Sequence, residues 1–267
     1  MGRRTILITG ASRGIGAAIA RDLVDADAAV IGVHWHNHEA EAREVAASIE
    51  RSGTKAVLLP FDLAERPEHA TTQLAACFLE RVHALTGRRE VDVLVNAARG
   101  AHHGTFSELS ERTLHRVTSL NFAAPMFLIQ ALLPYIAANG RVINISTGLT
   151  RVAAPHQMAY VAANAALNSM TCSLAPILGA REATINAVLP GFLETEQLPL
   201  SLAGPGRRRQ LEELSVFGRM GHPWDIAQVV RFLASDAGAW VTGQLIDATG
   251  GAGLRGGLAT PEFRDVR

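Results

Sequence analysis

The chain has 267 residues, of which 25 are basic and 25 acidic, so its formal net charge is zero. Its longest basic run is the three arginines at residues 207–209, which is not the electrostatic footprint of a nucleic-acid-binding protein. An apolar share of 48% against 19% charged residues is typical of a globular domain and excludes a disordered one. No apolar run approaches the ~20 residues that cross a bilayer, and the first residues do not resemble a signal peptide. We therefore expect a cytoplasmic protein that binds neither membranes nor nucleic acid.

Short apolar runs rich in β-branched residues alternate with longer helical patterns, which predicts a single α/β unit. Strands are predicted near residues 5–9, 28–33, 56–59, 91–95, 141–145, 184–188 and 244–247. Helices are predicted over residues 15–24, 39–51, 68–85, 111–137 with a kink at Pro125, 157–178 and 223–234. Seven strands with helices between them indicate a Rossmann-like, doubly wound parallel sheet with helices on both faces.

The predicted domain covers residues 1–251, and the tail at residues 252–267 has no periodicity. Residues 193–219 form a long connection without a strong pattern. Because it leaves the carboxyl end of a strand, where open α/β sheets bind ligands, we interpret it as a substrate lid. A variable surface loop is the alternative. Apolar side chains in and beside it indicate either an apolar ligand or packing within the loop: Phe192, Leu198, Leu200, Leu202 and Leu214.

The cysteines and histidines do not predict a disulfide framework or a metal centre. Cys77 and Cys172 both lie in apolar helical patterns, which fits a reducing compartment. His34, His36 and His38 alternate at the end of a strand, but no fourth ligand follows them.

A glycine-rich loop joins the first strand to the first helix and reads T-G-A-S-R-G-I-G over residues 9–16. Gly10 permits a tight turn, Gly14 lets backbone N–H groups approach a pyrophosphate, and Gly16 lets the helix pack against the strand. The strand–turn–helix context predicts a dinucleotide site, although a structural turn could use the same glycines. The predicted contacts here are Gly10, Ser12, Arg13, Gly14, Ile15 and Gly16.

The spacing Gly-x-x-x-Gly-x-Gly after a threonine resembles that of the short-chain dehydrogenase/reductase family. The resemblance covers nearly the whole chain, including residues 62–63, residues 94–98, Asn121, Tyr160 and residues 218–236. It implies an oxidoreductase with a nicotinamide cofactor, a small-molecule substrate and a homotetrameric or homodimeric assembly. It also implies further cofactor contacts at Asp62, Leu63, Asn96, Ala97, Tyr160, Pro190, Gly191, Leu193 and Thr195.

The end of the second strand bears on the choice between NADP(H) and NAD(H). NAD-specific sites usually carry a carboxylate there, but this chain has no acid before Glu39. Arg13 could pair with a 2′-phosphate, and His34 or His36 could add a donor. We predict NADP(H) rather than NAD(H); the alternative is a solvated loop arginine beside a polar strand end.

The family uses a Ser, a Tyr, a Lys and an Asn, and the matching positions here are Asn121, Thr147, Tyr160 and Asn164. The resemblance implies that Tyr160 donates a proton to a carbonyl oxygen, that the hydroxyl at position 147 orients that oxygen, and that Asn121 positions a water. Thr147 replaces the family's serine, and its hydroxyl keeps the same donor and acceptor. Ser146 is a neighbouring hydroxyl, but strand alternation points it to the opposite face.

Asn164 departs from the family, because it occupies the lysine position of Tyr-x-x-x-Lys. It lies four residues after Tyr160 and so shares a helix face with it, but an amide has no charge to favour a phenolate. An unassisted phenol titrates near ~10, so only about 0.1% is ionised at pH 7, a deficit of roughly 4 kcal/mol. Alcohol oxidation needs the phenolate and suffers most, so we predict carbonyl reduction.

Polyketide-synthase ketoreductase domains also carry Tyr-x-x-x-Asn, with a lysine on the earlier helix. The corresponding residue here is Asn121, and the sole lysine, Lys55, lies in another part of the fold. A cation near Tyr160 must therefore be an arginine or a histidine. The candidates, each of which could equally be a solvated loop residue, are Arg99, His102, His103, Arg151 and His156.

Three functions remain open. The first is an NADP(H)-dependent reductase of a small apolar or polyketide-like carbonyl compound. The second is a non-redox cyclase, isomerase or dehydratase of the same fold that uses Tyr160, Thr147 and a nearby histidine. The third is a non-catalytic binding or regulatory protein, which would not need Tyr160 beside Thr147.

Overall fold

The computed structural model describes residues 4–25, 28–195 and 205–254. Its seven strands form one parallel sheet in the order β3-β2-β1-β4-β5-β6-β7. The strands are β1 (Arg4–Thr9), β2 (Ala28–Trp35), β3 (Lys55–Pro60), β4 (Val91–Asn96), β5 (Ile136–Ile145), β6 (Thr184–Pro190) and β7 (Leu245–Ala248). The strand order reverses between β1 and β4, and open sheets bind ligands at such a switch point. The predicted doubly wound sheet is confirmed.

Helices cover both faces of the sheet. They are α1 (Gly14–Asp22), α2 (Glu39–Arg51), α3 (Pro67–Thr86), α4 (Glu111–Thr118), α5 (Ala124–Leu132), α6 (Met158–Gly179), α7 (Pro205–Glu212) and α8 (Pro223–Ala234). One core cluster joins the sheet to α1, α2 and α8, and a second joins the opposite face to α3, α5 and α6. All seven residues of β6 are buried, as expected for a strand covered on both faces.

The alternation of side chains along β1 shows how one strand serves both clusters. Ile6 and Ile8 pack on the face of α1, whereas Leu7 packs on the other face with Phe78 of α3. Each of these side chains is fully buried, and burial of one contributes about 1.5–3 kcal/mol before the entropy of ordering is counted.

The helix predicted over residues 111–137 is interrupted. A π-helical segment, Ser119–Ala123, separates α4 from α5, and β5 already begins at Ile136. Pro125 has no N–H, so it cannot bond to the carbonyl of Asn121 as an α-helix requires. The backbone instead adds a residue to the turn, and the N–H of Ala124 bonds to the carbonyl of Ser119 five residues back. The predicted kink is thus replaced by a bulge that contains Asn121.

The predicted lid contains a helix, α7, which its sequence pattern did not indicate. Leu193 pairs with Gly221 in an isolated bridge, and Arg208 of α7 forms an ion pair with Glu194. These contacts hold both ends of the lid close to the carboxyl end of β6. Residues 196–204, with the predicted lid leucines Leu198, Leu200 and Leu202, lie outside the described residues, as does the tail from residue 255.

Two helical stretches, Glu111–Tyr135 and Pro155–Gly179, are long and apolar enough to cross a membrane by length and composition alone. Core helices of proteins without membrane spans often meet the same criterion. Here both stretches pack against the sheet, where α5 and α6 contribute to the second core cluster.

Candidate active site

A cleft of about 280 Å³ opens above the carboxyl ends of β2, β1 and β4. Eleven of the predicted cofactor contacts line it: Gly10, Ser12, Arg13, Gly14, Ile15, Gly16, His34, Asp62, Leu63, Ala97 and Thr195. The other predicted contacts, Asn96, Tyr160, Pro190, Gly191 and Leu193, lie outside this lining. The structure therefore brings the glycine loop, the carboxyl ends of β2 and β4 and one residue of the predicted lid together around one cavity.

Two glycines of the loop occupy positions that no larger residue could fill. Gly10 has φ +65°, and a Cβ atom on it would lie 2.7 Å from the Cα of Ala98. A Cβ atom on Gly16 would lie 2.1 Å from the carbonyl oxygen of Gly10. Helix α1 begins at Gly14, and no side chain caps its amino end, so its first N–H groups remain available to an anion.

Thr9 fixes the end of β4 against this loop. Its Oγ1 accepts hydrogen bonds from the N–H groups of Ala97 and Ala98, each at 3.0 Å. Sequence reasoning treated Thr9 only as part of the family motif and missed this role. Asn96 has a structural role as well, because its Nδ2 donates to Oδ1 of Asn144 on β5 at 2.8 Å.

The ring of His34 supports the glycine loop rather than a phosphate. Its Nδ1 accepts from the N–H of Gly10 at 2.9 Å, so its Nε2 carries the proton and donates to the carbonyl of Phe61 at 3.0 Å. Burial lowers the pKa of His34 to about 4 and so keeps the ring neutral. Neither nitrogen is left to bind a 2′-phosphate, and our expectation of a phosphate donor at His34 was wrong for that reason.

The cleft is rich in positive charge. Its described lining includes three arginines, Arg13, Arg99 and Arg116, but one carboxylate, Asp62. Asp62 lies 3.6 Å from Nε2 of His36 and 3.8 Å from Nη1 of Arg116, a residue that sequence reasoning missed. The side chains of Arg13 and Arg99 make no hydrogen bond or ion pair within the described part of the chain. Such a lining suits a ligand with several negative charges.

At the other end of the site, Thr147 follows β5 and begins a short 3₁₀ turn, Gly148–Arg151. Its Oγ1 accepts from the N–H of Leu149 at 3.3 Å. The hydroxyl of Thr150 donates to the carbonyl of Thr147 at 2.9 Å and accepts from Nδ2 of Asn168 on α6 at 3.2 Å. Asn168, which had no sequence signal, thus ties the turn to α6.

Tyr160 and Asn164 lie on one face of α6, as their spacing predicts. Tyr160 is 6% exposed and packs against Val117 and Ala163, while its hydroxyl makes no hydrogen bond within the described residues. Asn164 is 1% exposed, and its Nδ2 donates to the main-chain carbonyl of Tyr160 at 2.9 Å. Position 164 therefore supplies an amide directed to the helix backbone and no charge.

The π segment brings Asn121 to the same region, since α6 packs against it. Nδ2 of Asn121 donates to the carbonyls of Gly100 and Val117, each at 2.8 Å. Its Oδ1 is buried and has no partner in the described structure. Oγ of Ser146 and Oδ1 of Asn168 are likewise buried and without a hydrogen-bond partner in the described residues. Buried polar atoms are normally hydrogen-bonded, so unpartnered ones near Thr147 and Tyr160 indicate places for water or a ligand.

The candidate replacements for the missing lysine differ in their surroundings. Arg151 forms an ion pair with Asp247 at 2.9 Å, and Nδ1 of His103 lies 3.2 Å from Nε2 of Gln157. His156 is exposed, and Nε2 of His102 is buried without a partner. Of these candidates, the cleft lining includes Arg99. Within the described residues, no group of three or more His, Cys, Asp or Glu side chains could hold a metal ion.

Known proteins share this arrangement over nearly the whole chain. Residues 10–253 match the family model described as enoyl-(acyl carrier protein) reductase. The chain is 34% identical over 249 residues to an uncharacterised oxidoreductase of Methylorubrum extorquens, with 93% of this chain and 97% of that protein covered. It is 32% identical over 262 residues to NADPH-dependent aldehyde reductase 2, chloroplastic, of Arabidopsis thaliana, with 93% of each covered.

Among solved structures, the chain is similar to the angucycline C-6 ketoreductase LanV with bound NADP. The TM-score is 0.87 at 37% sequence identity, with 94% of this chain and 96% of that chain covered. Fold and site together define an α/β oxidoreductase with a dinucleotide cleft. The chain belongs to the short-chain dehydrogenase/reductase family.

Proposed function

We propose that the protein is an NADP(H)-dependent reductase that converts a carbonyl group of a small, apolar or polyketide-like molecule into an alcohol. The observation that carries this proposal is the arginine-lined cleft around the glycine loop, whose lining extends to the end of β4, the neighbour in the sheet of the strand that precedes Thr147. The names of two relatives support it, since one is an NADPH-dependent aldehyde reductase and the other a ketoreductase with bound NADP.

The residues of the cleft fit NADP(H). Gly10 and Gly16 leave space that a Cβ atom would fill, and the uncapped amino end of α1 points N–H groups at a phosphate. Asn37 and His38 follow β2 where an NAD site usually has a carboxylate, and Arg13 can pair with the 2′-phosphate. NAD(H) lacks that phosphate and would bind less tightly.

The chain's own residues supply the proton and hold the reacting oxygen. The reduced nicotinamide, when bound, supplies the hydride to the carbonyl carbon. Tyr160 donates its hydroxyl proton to the carbonyl oxygen, and the hydroxyl of Thr147 orients that oxygen and stabilises its developing charge. Asn121 holds a water at its unpartnered Oδ1, through which a proton returns to Tyr160. Asn164 packs behind Tyr160 and adds no charge, which favours reduction over alcohol oxidation.

Exposed apolar side chains near these residues support an apolar substrate. Phe106 is 72% exposed in the segment between β4 and α4, and Val152 is exposed between β5 and α6. On the lid side, Phe192 and Phe217 line a second cavity of about 310 Å³. Such side chains bind hydrocarbon or aromatic rings better than sugars or acids.

Two other functions are alternatives. A cyclase, isomerase or dehydratase of the same fold is favoured by one observation, the buried Nε2 of His102, which has no partner in the described residues and could act in proton transfer. A non-catalytic binding or regulatory protein would have no use for the unbonded hydroxyl group of Tyr160, a residue that is otherwise buried.

The direct test mixes the purified protein with NADPH and a series of carbonyl compounds, from small aliphatic ketones to polycyclic aromatic ones. We expect loss of reduced-nicotinamide absorbance together with formation of the alcohol, and faster turnover with NADPH than with NADH. Product formation without added nucleotide would favour the non-redox enzyme. Nucleotide binding without any turnover would favour the regulatory protein.

We also propose a homotetramer or a homodimer in the cytoplasm. Large apolar side chains are exposed on α4, on α6 and around α8: Leu114, Met158, Ile177, Trp224, Phe232 and Trp240. Trp240 is 99% exposed, and an interface between copies of the chain would bury it. Light scattering of the purified protein measures the assembly, and a monomer would contradict this proposal.

A further inference from the structure

Arg99 presents a guanidinium group to the cofactor cleft. It follows β4, is exposed to solvent and lines the cleft. In the part of the chain that the structure describes, it makes no hydrogen bond or ion pair. Arg116, by comparison, lies 3.8 Å from the carboxylate of Asp62. No acidic side chain in the described lining therefore neutralises Arg99.

The main chain on both sides of Arg99 is held in place. The N–H groups of residues 97–98 donate to Oγ1 of Thr9, each at 3.0 Å. The carbonyl of Gly100 accepts from Nδ2 of Asn121 at 2.8 Å. A residue whose main chain is already held in place loses less conformational entropy when it binds a ligand than a residue on a mobile loop does.

The order of the strands determines which part of the cofactor Arg99 faces. Because β2 and β4 flank β1 on opposite sides, the cleft runs from residues 34–38, across the glycine loop, to Arg99. In this fold the adenosine ribose lies toward β2 and the pyrophosphate at the glycine loop. Arg99 is adjacent to that loop, since a Cβ atom on Gly10 would lie 2.7 Å from the Cα of Ala98.

We propose that Arg99 binds the pyrophosphate of the cofactor from the β4 side, opposite the glycine loop; this inference rests on the proposed function. A guanidinium group can form two parallel hydrogen bonds to phosphate oxygens, which a lysine cannot. Arg13 lies on the glycine loop and binds the 2′-phosphate. The two arginines then have separate roles. Arg99 contributes affinity for both NADPH and NADH, and Arg13 determines the preference for NADP(H).

Binding of NADPH and of NADH, each followed by nucleotide fluorescence, separates these roles. Arg99→Gln is expected to raise the Kd of both nucleotides about tenfold, whereas Arg13→Gln raises that of NADPH alone. Arg99→Lys keeps the charge but loses the paired hydrogen bonds, so its Kd for both nucleotides should lie between those of the unmodified protein and of Arg99→Gln.

Arg89→Gln is the matched control. Arg89 is exposed and precedes β4 at the opposite edge of the sheet, so its loss changes the net charge equally without touching the cleft. Unchanged affinity of Arg99→Gln for both nucleotides, or a loss confined to NADPH, would overturn the role of Arg99. If carbonyl reduction persists in that case, the proposed function stands. An unmodified protein that binds neither nucleotide would overturn both.

Discussion

The two halves of the active site differ in which of their groups are held by hydrogen bonds. In the cofactor half, the N–H of Gly10 is bonded to His34, and the N–H groups at the end of β4 are bonded to Thr9. In the catalytic half, Asn121 and Asn168 each have a buried oxygen without a partner in the described residues. Buried polar atoms without a partner in the described residues also occur in the cofactor half, at Nε1 of Trp35 and Oδ1 of Asn96. What distinguishes the cofactor half is a cradle, the glycine loop and the end of β4, whose main chain is held by side-chain hydrogen bonds before any ligand arrives. We expect substitutions in the catalytic half to lower kcat and substitutions in the cofactor half to weaken nucleotide binding.

Removal of the Tyr160 hydroxyl should produce the largest effect and should leave cofactor binding intact. Tyr160→Phe is expected to lower kcat for carbonyl reduction about 10³-fold, because it removes the proposed proton donor. The Kd of NADPH should change less than about threefold, since Tyr160 does not line the cleft. Steady-state kinetics and fluorescence titration measure the two quantities.

Tyr135→Phe is the matched control for that variant, because the chain contains two tyrosines and Tyr135 is exposed at the start of β5. It should retain full activity. A Tyr160→Phe variant as active as the Tyr135→Phe variant would show that the proton comes from another group, and His102 would be the next residue to replace.

The converse variant changes the glycine loop of the cofactor half. Gly16→Ala places a methyl group 2.1 Å from the carbonyl oxygen of Gly10, so the loop must move. We expect loss of detectable NADPH binding and a decrease of about 2–3 kcal/mol in the free energy of unfolding. Gly179→Ala is the control, because nothing lies within 4 Å of a Cβ atom there. Tight binding by Gly16→Ala would show that the loop adapts and that the cradle is not rigid.

The same contrast explains what the sequence could predict. The seven strands were predictable because buried parallel strands form short apolar runs, and Gly10 and Gly16 were predictable because their spacing reflects backbone contacts. The π segment was not predictable in detail, because Pro125 could produce either a kink or a bulge. The roles of Thr9 and His34 depend on neighbours 24 to 89 residues away in the chain, and no local pattern encodes such contacts.

His34 gives the cofactor half a dependence on pH. Its folded pKa of about 4 lies below the unfolded value of 6.5, so the unfolded chain takes up the proton first as the pH falls. The stabilisation is complete above about pH 6.5 and is lost as the pH falls toward 4. Between pH 7 and pH 5, this residue should lower the free energy of unfolding by about 2 kcal/mol, as measured by urea denaturation at each pH.

The contribution of His34 is isolated by comparing pH slopes rather than absolute stabilities. His34→Gln should lose about 2 kcal/mol less between pH 7 and pH 5 than the unmodified protein does, although it is less stable at pH 7. His69→Gln removes an exposed histidine and should reproduce the unmodified slope. Equal slopes for the His34 variant and the unmodified protein would contradict a buried, neutral imidazole under the glycine loop.

Restoring the family's lysine at position 164 tests the role of charge in the catalytic half. Asn164→Lys places an ammonium group on the helix face of Tyr160, where it favours the phenolate that alcohol oxidation requires. Oxidation at neutral pH should accelerate about tenfold and extend to lower pH, while reduction, which starts from the neutral phenol, should gain less. Asn164→Gln lengthens the side chain without charge and should change neither the oxidation-to-reduction ratio nor the pH profile. Equal effects of both variants would mean that position 164 acts through packing, and the two halves would then differ in their hydrogen bonds but not in charge.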